Sequence, residues 1–160
     1  MNAKQGGSTV SYTVTEQVKV PRLSLILGYG PMLPFVLGAA CAWTLPAQSS
    51  AVAVSLTSLW GGAILAFLAG VRRGLAFRSP GNETLPQFVT MLVLFVMALG
   101  ALAAMPSRLS VAILAGGFAS IAVMDRAAAR REEAPPYFAR LRPPQMLVAV
   151  VSLMALLPKA

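Results

Sequence analysis

Long apolar stretches separated by short polar loops dominate the chain from about residue 22 onward. Five stretches can be distinguished, at 22–45, 51–71, 85–105, 109–124 and 141–157. The loops between them carry proline, glycine, serine or charge, as in PAQSS and RSPGNET, which favours turns. At about 1.5 Å per residue, the second and third stretches reach roughly 31 Å, enough to cross a hydrocarbon core of about 30 Å. The pattern predicts an all-α, polytopic membrane protein with five transmembrane helices in a single bundle.

The ends of the chain differ from this apolar core. Residues 1–21 are mostly polar, contain glycine and lack periodicity, which predicts a mobile cytoplasmic N-terminal tail rather than a cleaved signal. Residues 22–160 then form the five-helix transmembrane domain. The fourth and fifth stretches have only about 16 and 13 uninterrupted apolar residues. We therefore expect tilt, snorkelling side chains or local bilayer thinning to complete these two spans.

Composition strengthens the membrane prediction. Apolar residues make up 57% of the 160 residues and charged residues only 11%, and the mean hydropathy is +0.72. A net charge of +8 would suggest nucleic acid as the partner of a soluble chain. Here the basic residues lie beside long apolar runs, so the predicted partner is a bilayer with anionic headgroups and not nucleic acid.

The lysines and arginines predict an orientation. Eleven of the 13 fall on one side of the predicted membrane, and only Arg108 and Lys159 fall on the other. The eleven are Lys4, Lys19, Arg22, Arg72, Arg73, Arg78, Arg126, Arg130, Arg131, Arg140 and Arg142. Because short cytoplasmic segments are enriched in these residues, we expect a multi-pass protein of the bacterial inner membrane with a cytoplasmic N-terminus and a periplasmic C-terminus.

Two adjacent arginines end the second apolar stretch. Counting 21 residues from Ala51 places Val71 at the membrane edge, so Arg72 and Arg73 are predicted to snorkel outward and anchor lipid headgroups. The alternative is that one of them turns back into the bundle and holds an anionic headgroup or a substrate. No acidic partner is expected there, because all five acids lie in tails, loops or at a helix end. Asp125 is interpreted as a solvated helix end.

The same anchoring role is predicted for other residues on this side. Arg78 follows the second stretch, and Tyr137, Arg140 and Arg142 precede the fifth. Amphipathic rings and cations together are typical of the headgroup layer. Docking of a partner protein on this loop is the alternative.

Small residues recur every fourth position in the second stretch. On a helix this spacing forms a slowly drifting stripe where the backbone of a neighbouring helix can approach. A shorter stripe in the fourth stretch is predicted to meet it, although glycine and alanine are also simply common in membrane helices. The predicted packing residues are Ser58, Gly62, Ala66, Gly70, Gly74, Ala112, Gly116 and Ser120.

The first stretch contains the sequence LGYGPMLPF, which predicts a kink. Pro31 and Pro34 remove two backbone donors, and Gly28 and Gly30 flank Tyr29 in the same turn. Such a broken helix can expose carbonyls that bind a solute. The alternative is a kink whose carbonyls are satisfied by neighbouring helices.

The sequence offers no recognisable catalytic group. It has no histidine and one cysteine, Cys41, and it lacks a glycine-rich phosphate loop or a nucleophile elbow. We therefore predict no enzymatic activity, no cofactor and no metal. The function expected is that of an accessory or assembly component that packs against another membrane protein or forms a homo-oligomer. The alternative is a small-solute carrier or channel that uses residues 28–34.

Three segments resemble a known family. GGAILAFLAGVRRGLAF, LGYGPMLPFVLGA and PYFARLR are similar to segments of small five-helix membrane proteins of unknown function, a group that includes the animal mitochondrial transmembrane protein sixty-nine. The resemblance spans about residues 22–157 and implies a fold and a membrane location but no activity. Relatives often carry an aromatic residue where Arg73 stands, so no role of that aromatic passes to this chain.

Overall fold

Helices form all the regular secondary structure in the part of the chain that the structure describes, a computed structural model covering residues 26, 28–76, 85–130 and 136–160. Five α-helices occur there, and a 3₁₀ turn, Gly30–Met32, precedes the first and another, Leu157–Lys159, follows the last. The helices are α1 Leu33–Thr44, α2 Ala47–Ala76, α3 Leu85–Ala103, α4 Arg108–Arg130 and α5 Pro136–Leu156. The all-α, five-helix prediction is confirmed over these ranges. The predicted tail and Arg78 lie outside the described residues.

Three of the helices, α2, α4 and α5, extend beyond the apolar stretches that predicted them, whereas α1 and α3 are shorter than theirs. The second stretch was placed at 51–71, whereas α2 has 30 residues, and α5 begins five residues before the predicted fifth span. Hydropathy marks only the apolar part of a helix, but backbone hydrogen bonds continue into polar sequence until something interrupts them. Pro46 precedes α2 and Pro136 opens α5, as expected for a residue that has no N–H to lose at a helix start.

Successive helices alternate in direction. The Ser50 hydroxyl at the start of α2 donates a hydrogen bond to the Ala42 carbonyl near the end of α1, at 2.8 Å. α2 and α4 run parallel, because Gly61 faces Leu114 and, one turn later, Gly117 faces Leu65. The connecting helix α3 must therefore run opposite to both.

The five helices form a closed ring. Each helix packs against the next in the chain, α5 packs back against α1, and α2 and α4 also touch across the ring. Arg72, Asp125 and Arg142 lie together at one end of this bundle, which we call the arginine end. The other end, which holds Trp43, Arg108 and Lys159, is called the tryptophan end.

The core is aliphatic with one aromatic pair. Phe35 of α1 and Phe118 of α4 are both fully buried, and their rings meet edge to face with centroids 5.3 Å apart. Leu65, Leu94 and Leu153, from three other helices, are also inaccessible to solvent. Every helix therefore contributes to one continuous core.

The outer surface is also apolar. On α3 alone, seven large apolar residues between Phe88 and Leu99 are exposed, and Phe67 on α2 is 65% exposed. Two segments, Ala47–Gly74 and Arg108–Asp125, are long and apolar enough to cross a membrane, and Gly30–Thr44 and Gln87–Ala103 are apolar but shorter. By length and composition, two of the described helices are thus candidate membrane spans.

Candidate functional site

Three charged side chains from three helices meet inside the arginine end. Arg72 Nη2 of α2 lies 3.2 Å from Asp125 Oδ1 of α4, and Arg142 Nη1 of α5 lies 3.4 Å from Asp125 Oδ2. Their side chains are only 15%, 12% and 10% exposed for Arg72, Asp125 and Arg142 respectively. We call these three residues the charge cluster. One carboxylate here bridges two guanidinium groups.

The charge cluster corrects two expectations from the sequence. Asp125 is not a solvated helix end, and it is the acidic partner that Arg72 was expected to lack. Arg72 and Arg142 turn inward toward it, as in the alternative given above for Arg72. The reason is the parallel contact of α2 with α4, which brings together two residues 53 positions apart. Arg73 is half-buried, and at Tyr137 and Arg140 only the backbone is described.

Two polar groups near the charge cluster have no hydrogen-bond partner among the described residues. Arg72 Nη1 donates to the thioether of Met124 at 3.5 Å, but Arg72 Nε is buried with no acceptor. Gln145, one turn beyond Arg142 on α5, is 4% exposed, and its Nε2 is also without a partner. The amide of Gln145 packs against Gly28 so closely that a side chain at position 28 would collide with it. The sequence reasoning missed Gln145, although its position i+3 from Arg142 places it on the same helix face.

The prolines of the first stretch produce a 3₁₀ turn whose carbonyls have partners. Because Pro34 lacks an N–H, the Gly30 carbonyl accepts instead from the backbone of Leu33. The Pro31 carbonyl accepts a hydrogen bond from the indole of Trp60 on α2, at 2.9 Å. Tyr29 is exposed, and nothing lies within 4 Å of a Cβ built on Gly30. The arrangement corresponds to the alternative weighed above, in which a neighbouring helix satisfies the kink.

The predicted small-residue stripe of α2 divides between the inside and the outside of the bundle. Ser58 and Gly62 are buried, and a Cβ on Gly62 would lie 2.5 Å from Leu102 of α3. Gly70 and Gly74 are exposed with open space around them, so the predicted close contact within this chain is wrong at those two positions. Ala66 is half-buried against the core.

The shorter stripe of α4 does not meet that of α2. Ala112 and Gly116 are exposed, and Ser120 is half-buried with its hydroxyl bonded to the Gly117 carbonyl at 2.7 Å. Gly117 faces α2 instead, since a Cβ there would lie 2.6 Å from Leu65. The predicted contact between the two stripes is therefore wrong. The α4 residue that faces α2 is Gly117, one position after the predicted Gly116.

Hydrogen bonds and a cation–π contact link the helices at the tryptophan end. The indole of Trp43 donates to the Ala155 carbonyl at 2.9 Å, and the Lys159 ammonium lies 4.5 Å from the Trp43 ring centroid. Arg108 Nε donates to the Ala160 carbonyl at 3.1 Å. These exposed contacts join α1, α4 and the end of α5.

The chemistry available at the charge cluster is ionic and hydrogen-bonding. Guanidinium groups stay protonated and donate only, so they can hold an anion but cannot take up a proton. Within the described ranges, no group of three or more histidine, cysteine, aspartate or glutamate side chains is placed to hold a metal ion. The cluster is thus suited to holding helices together or to binding an anion.

Comparison with known proteins gives one match. No curated protein and no solved structure matches the chain. One family model, described as a protein of unknown function (DUF3429), matches residues 20–158. This match covers all five helices, the charge cluster and the kinked segment. The chain therefore belongs to the DUF3429 family.

Proposed function

We propose that this chain is a non-catalytic integral membrane protein whose five helices all span the bacterial inner membrane. The apolar exterior supports this proposal, because residues such as Phe67 and Leu92 would be costly to expose to water but not to lipid. The concentration of arginine and lysine on one side supports a cytoplasmic N-terminus and a periplasmic C-terminus. We place transmembrane protein sixty-nine in the same group, on the three quoted segments.

Topology reporters test this arrangement. We expect a reporter fused after Lys159 to be active in the periplasm and one inserted near Gly81 to be active in the cytoplasm, because positive charge retains the loops on the cytoplasmic side. Paired alkaline phosphatase and fluorescent protein fusions measure both positions. An even number of spans between Gly81 and Lys159 would put both reporters on the same side and contradict the five-span arrangement.

Within the membrane, we propose that the protein acts as an accessory subunit that packs against a helix of another membrane protein. The observation that carries this proposal is the exposed face of α2 at Gly70 and Gly74. A Cβ at either position meets nothing within 4 Å, so nothing in the described part of this chain uses these glycines. Small residues at a four-residue spacing are the usual contact surface of membrane helices, because they allow backbones to approach closely.

Native purification in mild detergent tests the accessory role. We expect the wild-type protein to retain a partner and the Gly70→Leu variant to lose it, because the leucine holds the partner helix away. The unfolding temperature of the isolated Gly70→Leu protein should stay near that of wild type, since the site is open. The matched control is Gly100→Leu on α3, which also has nothing within 4 Å and should keep the partner.

Three results would contradict the accessory role. One is a partner-free wild-type monomer in several detergents, and another is a Gly70→Leu variant that still carries its partner. The third is a partner that proves to be only a second copy of this chain.

A further inference from the structure

Three buried polar atoms near the arginine end have no hydrogen-bond partner among the described residues. Two are donors, Arg72 Nε and Gln145 Nε2, and the third is an acceptor, Gln87 Oε1 near the start of α3. Buried polar groups are nearly always hydrogen-bonded, and a donor from α2 and a donor from α5 can both be satisfied by a ligand that presents several acceptor oxygens. We propose that Arg72 and Gln145, beside Arg142, bind the oxygens of a phosphate group at this end of the bundle.

The contacts of Arg72 show that its bonding capacity is not used up. A guanidinium has five N–H donors in a planar fork. Its contact with Asp125 is 3.2 Å, longer than the roughly 2.7–2.9 Å of a strong charged hydrogen bond. Its other contact is to the sulfur of Met124, a weak acceptor. An anion with several oxygens could therefore accept from Nε while Asp125 keeps its own bond.

Gln145 gives the site a second, uncharged donor. It lies one turn beyond Arg142, about 4.5 Å further along the axis of α5. Gln145 is 4% exposed, and its amide packs against Gly28 of the segment before α1. A buried amide of this kind is typical of a built polar site rather than of a surface contact.

The depth of the site suits a phosphate that enters from the membrane surface. Arg72 lies four residues before the end of α2, and Arg142 and Gln145 lie six and nine residues after the start of α5. At about 1.5 Å per residue, the site extends from roughly 6 to roughly 14 Å inside the helix ends. Phosphate is presented at that depth by a lipid headgroup, and it can also arrive as free phosphate. Guanidinium forks match phosphate oxygens well in both cases.

The Asp125→Asn variant distinguishes an anion site from simple ion pairing by whether it strengthens phosphate binding. If the arginines serve only to pair with Asp125, the Asp125→Asn variant should lose stability and gain no ligand. If they also form an anion site, removing the negative charge should strengthen phosphate binding, because the repulsion between the carboxylate and the anion is gone. Added phosphate should then raise the unfolding temperature of Asp125→Asn more than that of wild type.

The experiment measures binding by the full chain in a neutral detergent. Native mass spectrometry is titrated with phosphatidylglycerol in one arm, and thermal unfolding is followed against inorganic phosphate in the other. Four variants are compared with wild type: Arg72→Lys, Gln145→Leu, Asp125→Asn and the control Arg108→Gln at the tryptophan end. Arg72→Lys keeps the positive charge but loses the Nε–H. It therefore tests whether binding requires the planar guanidinium or only a positive charge.

We expect Arg72→Lys and Gln145→Leu to weaken binding by about tenfold each, the effect of one lost hydrogen bond to a charged group. Asp125→Asn should tighten binding several-fold, and Arg108→Gln should bind as wild type does. Binding in the phosphatidylglycerol arm alone would identify a lipid phosphate, and binding in the inorganic arm alone a free phosphate. The proposal is overturned if neither arm shows saturable binding, or if Arg72→Lys and Gln145→Leu bind like Arg108→Gln. Its failure leaves the accessory role untouched, since that role rests on the face at Gly70.

Discussion

Replacing Asp125 with alanine is expected to lower the free energy of unfolding by about 3–5 kcal/mol, the usual effect of removing one partner from a buried ion pair. The loss is large because the two guanidiniums of Arg72 and Arg142 then face each other with their bridging carboxylate gone. Unfolding in a single detergent, by heat or by a denaturing detergent, measures the difference. The control is Arg108→Ala, whose exposed hydrogen bond should contribute less than about 1 kcal/mol.

A triple variant distinguishes the contribution of ion pairing to stability from that of side-chain packing. Changing Asp125 to leucine together with Arg72 and Arg142 to methionine removes all three charges while roughly preserving volume. Buried ion pairs can often be replaced by apolar residues at little cost, so this triple variant should recover most of the stability lost in Asp125→Ala. An Asp125→Ala protein as stable as Arg108→Ala would show that water reaches the charge cluster and would contradict its burial.

The Phe118→Ala variant is expected to lose about 3 kcal/mol. Phe118 is fully buried and its ring meets that of Phe35, so truncation leaves a cavity and removes the edge-to-face contact. In the membrane arrangement proposed above, the transfer contribution is small, since lipid is as apolar as the core, and the loss comes mainly from packing. That places the expected value at the lower end of the range measured for soluble proteins.

The matched control for Phe118→Ala is Phe67→Ala on α2. Phe67 is 65% exposed on the apolar exterior, so its truncation leaves no internal cavity. We expect a change of less than about 0.5 kcal/mol, as for ordinary surface substitutions. The comparison uses reversible unfolding in the same detergent. Equal losses at the two positions would mean that the Phe35–Phe118 pair is not at the centre of the core.

The existence of the five helices was predictable because apolar length is a local property of the sequence. The charge cluster was not, because it depends on which helices are neighbours and on their rotation about their axes. Arg72 and Asp125 are 53 positions apart, and nothing in either segment indicates that α2 and α4 run parallel and in contact. One signal was present, since Arg72, Asp125 and Arg142 all fall near the same predicted membrane edge. An acid at that edge could have been considered as a partner for the arginines.

The division of the small-residue stripe has a geometric cause. A step of four residues turns an α-helix by about 400°, so a strict four-residue repeat drifts by about 40° per step. Gly62 faces α3, and Gly70 has then turned about 80° and Gly74 about 120° away from that contact. The repeat in the sequence is real, but one straight neighbouring helix cannot follow it from Ser58 to Gly74. Sequence spacing alone does not indicate where along the stripe the contact ends.

The closed ring of helices also constrains the order in which the protein can be assembled. Ribosomes release α1 first and α5 last, yet α1 packs against α5, and Asp125 receives its second arginine only from α5. During synthesis, the side of α1 that α5 covers stays exposed until α5 is made. The Asp125 carboxylate likewise lacks its contact with Arg142 until then. A nascent chain stopped before α5 would present both to chaperones and proteases. Addition of the last helix therefore closes the ring and completes the ion pairing of Asp125 in a single step.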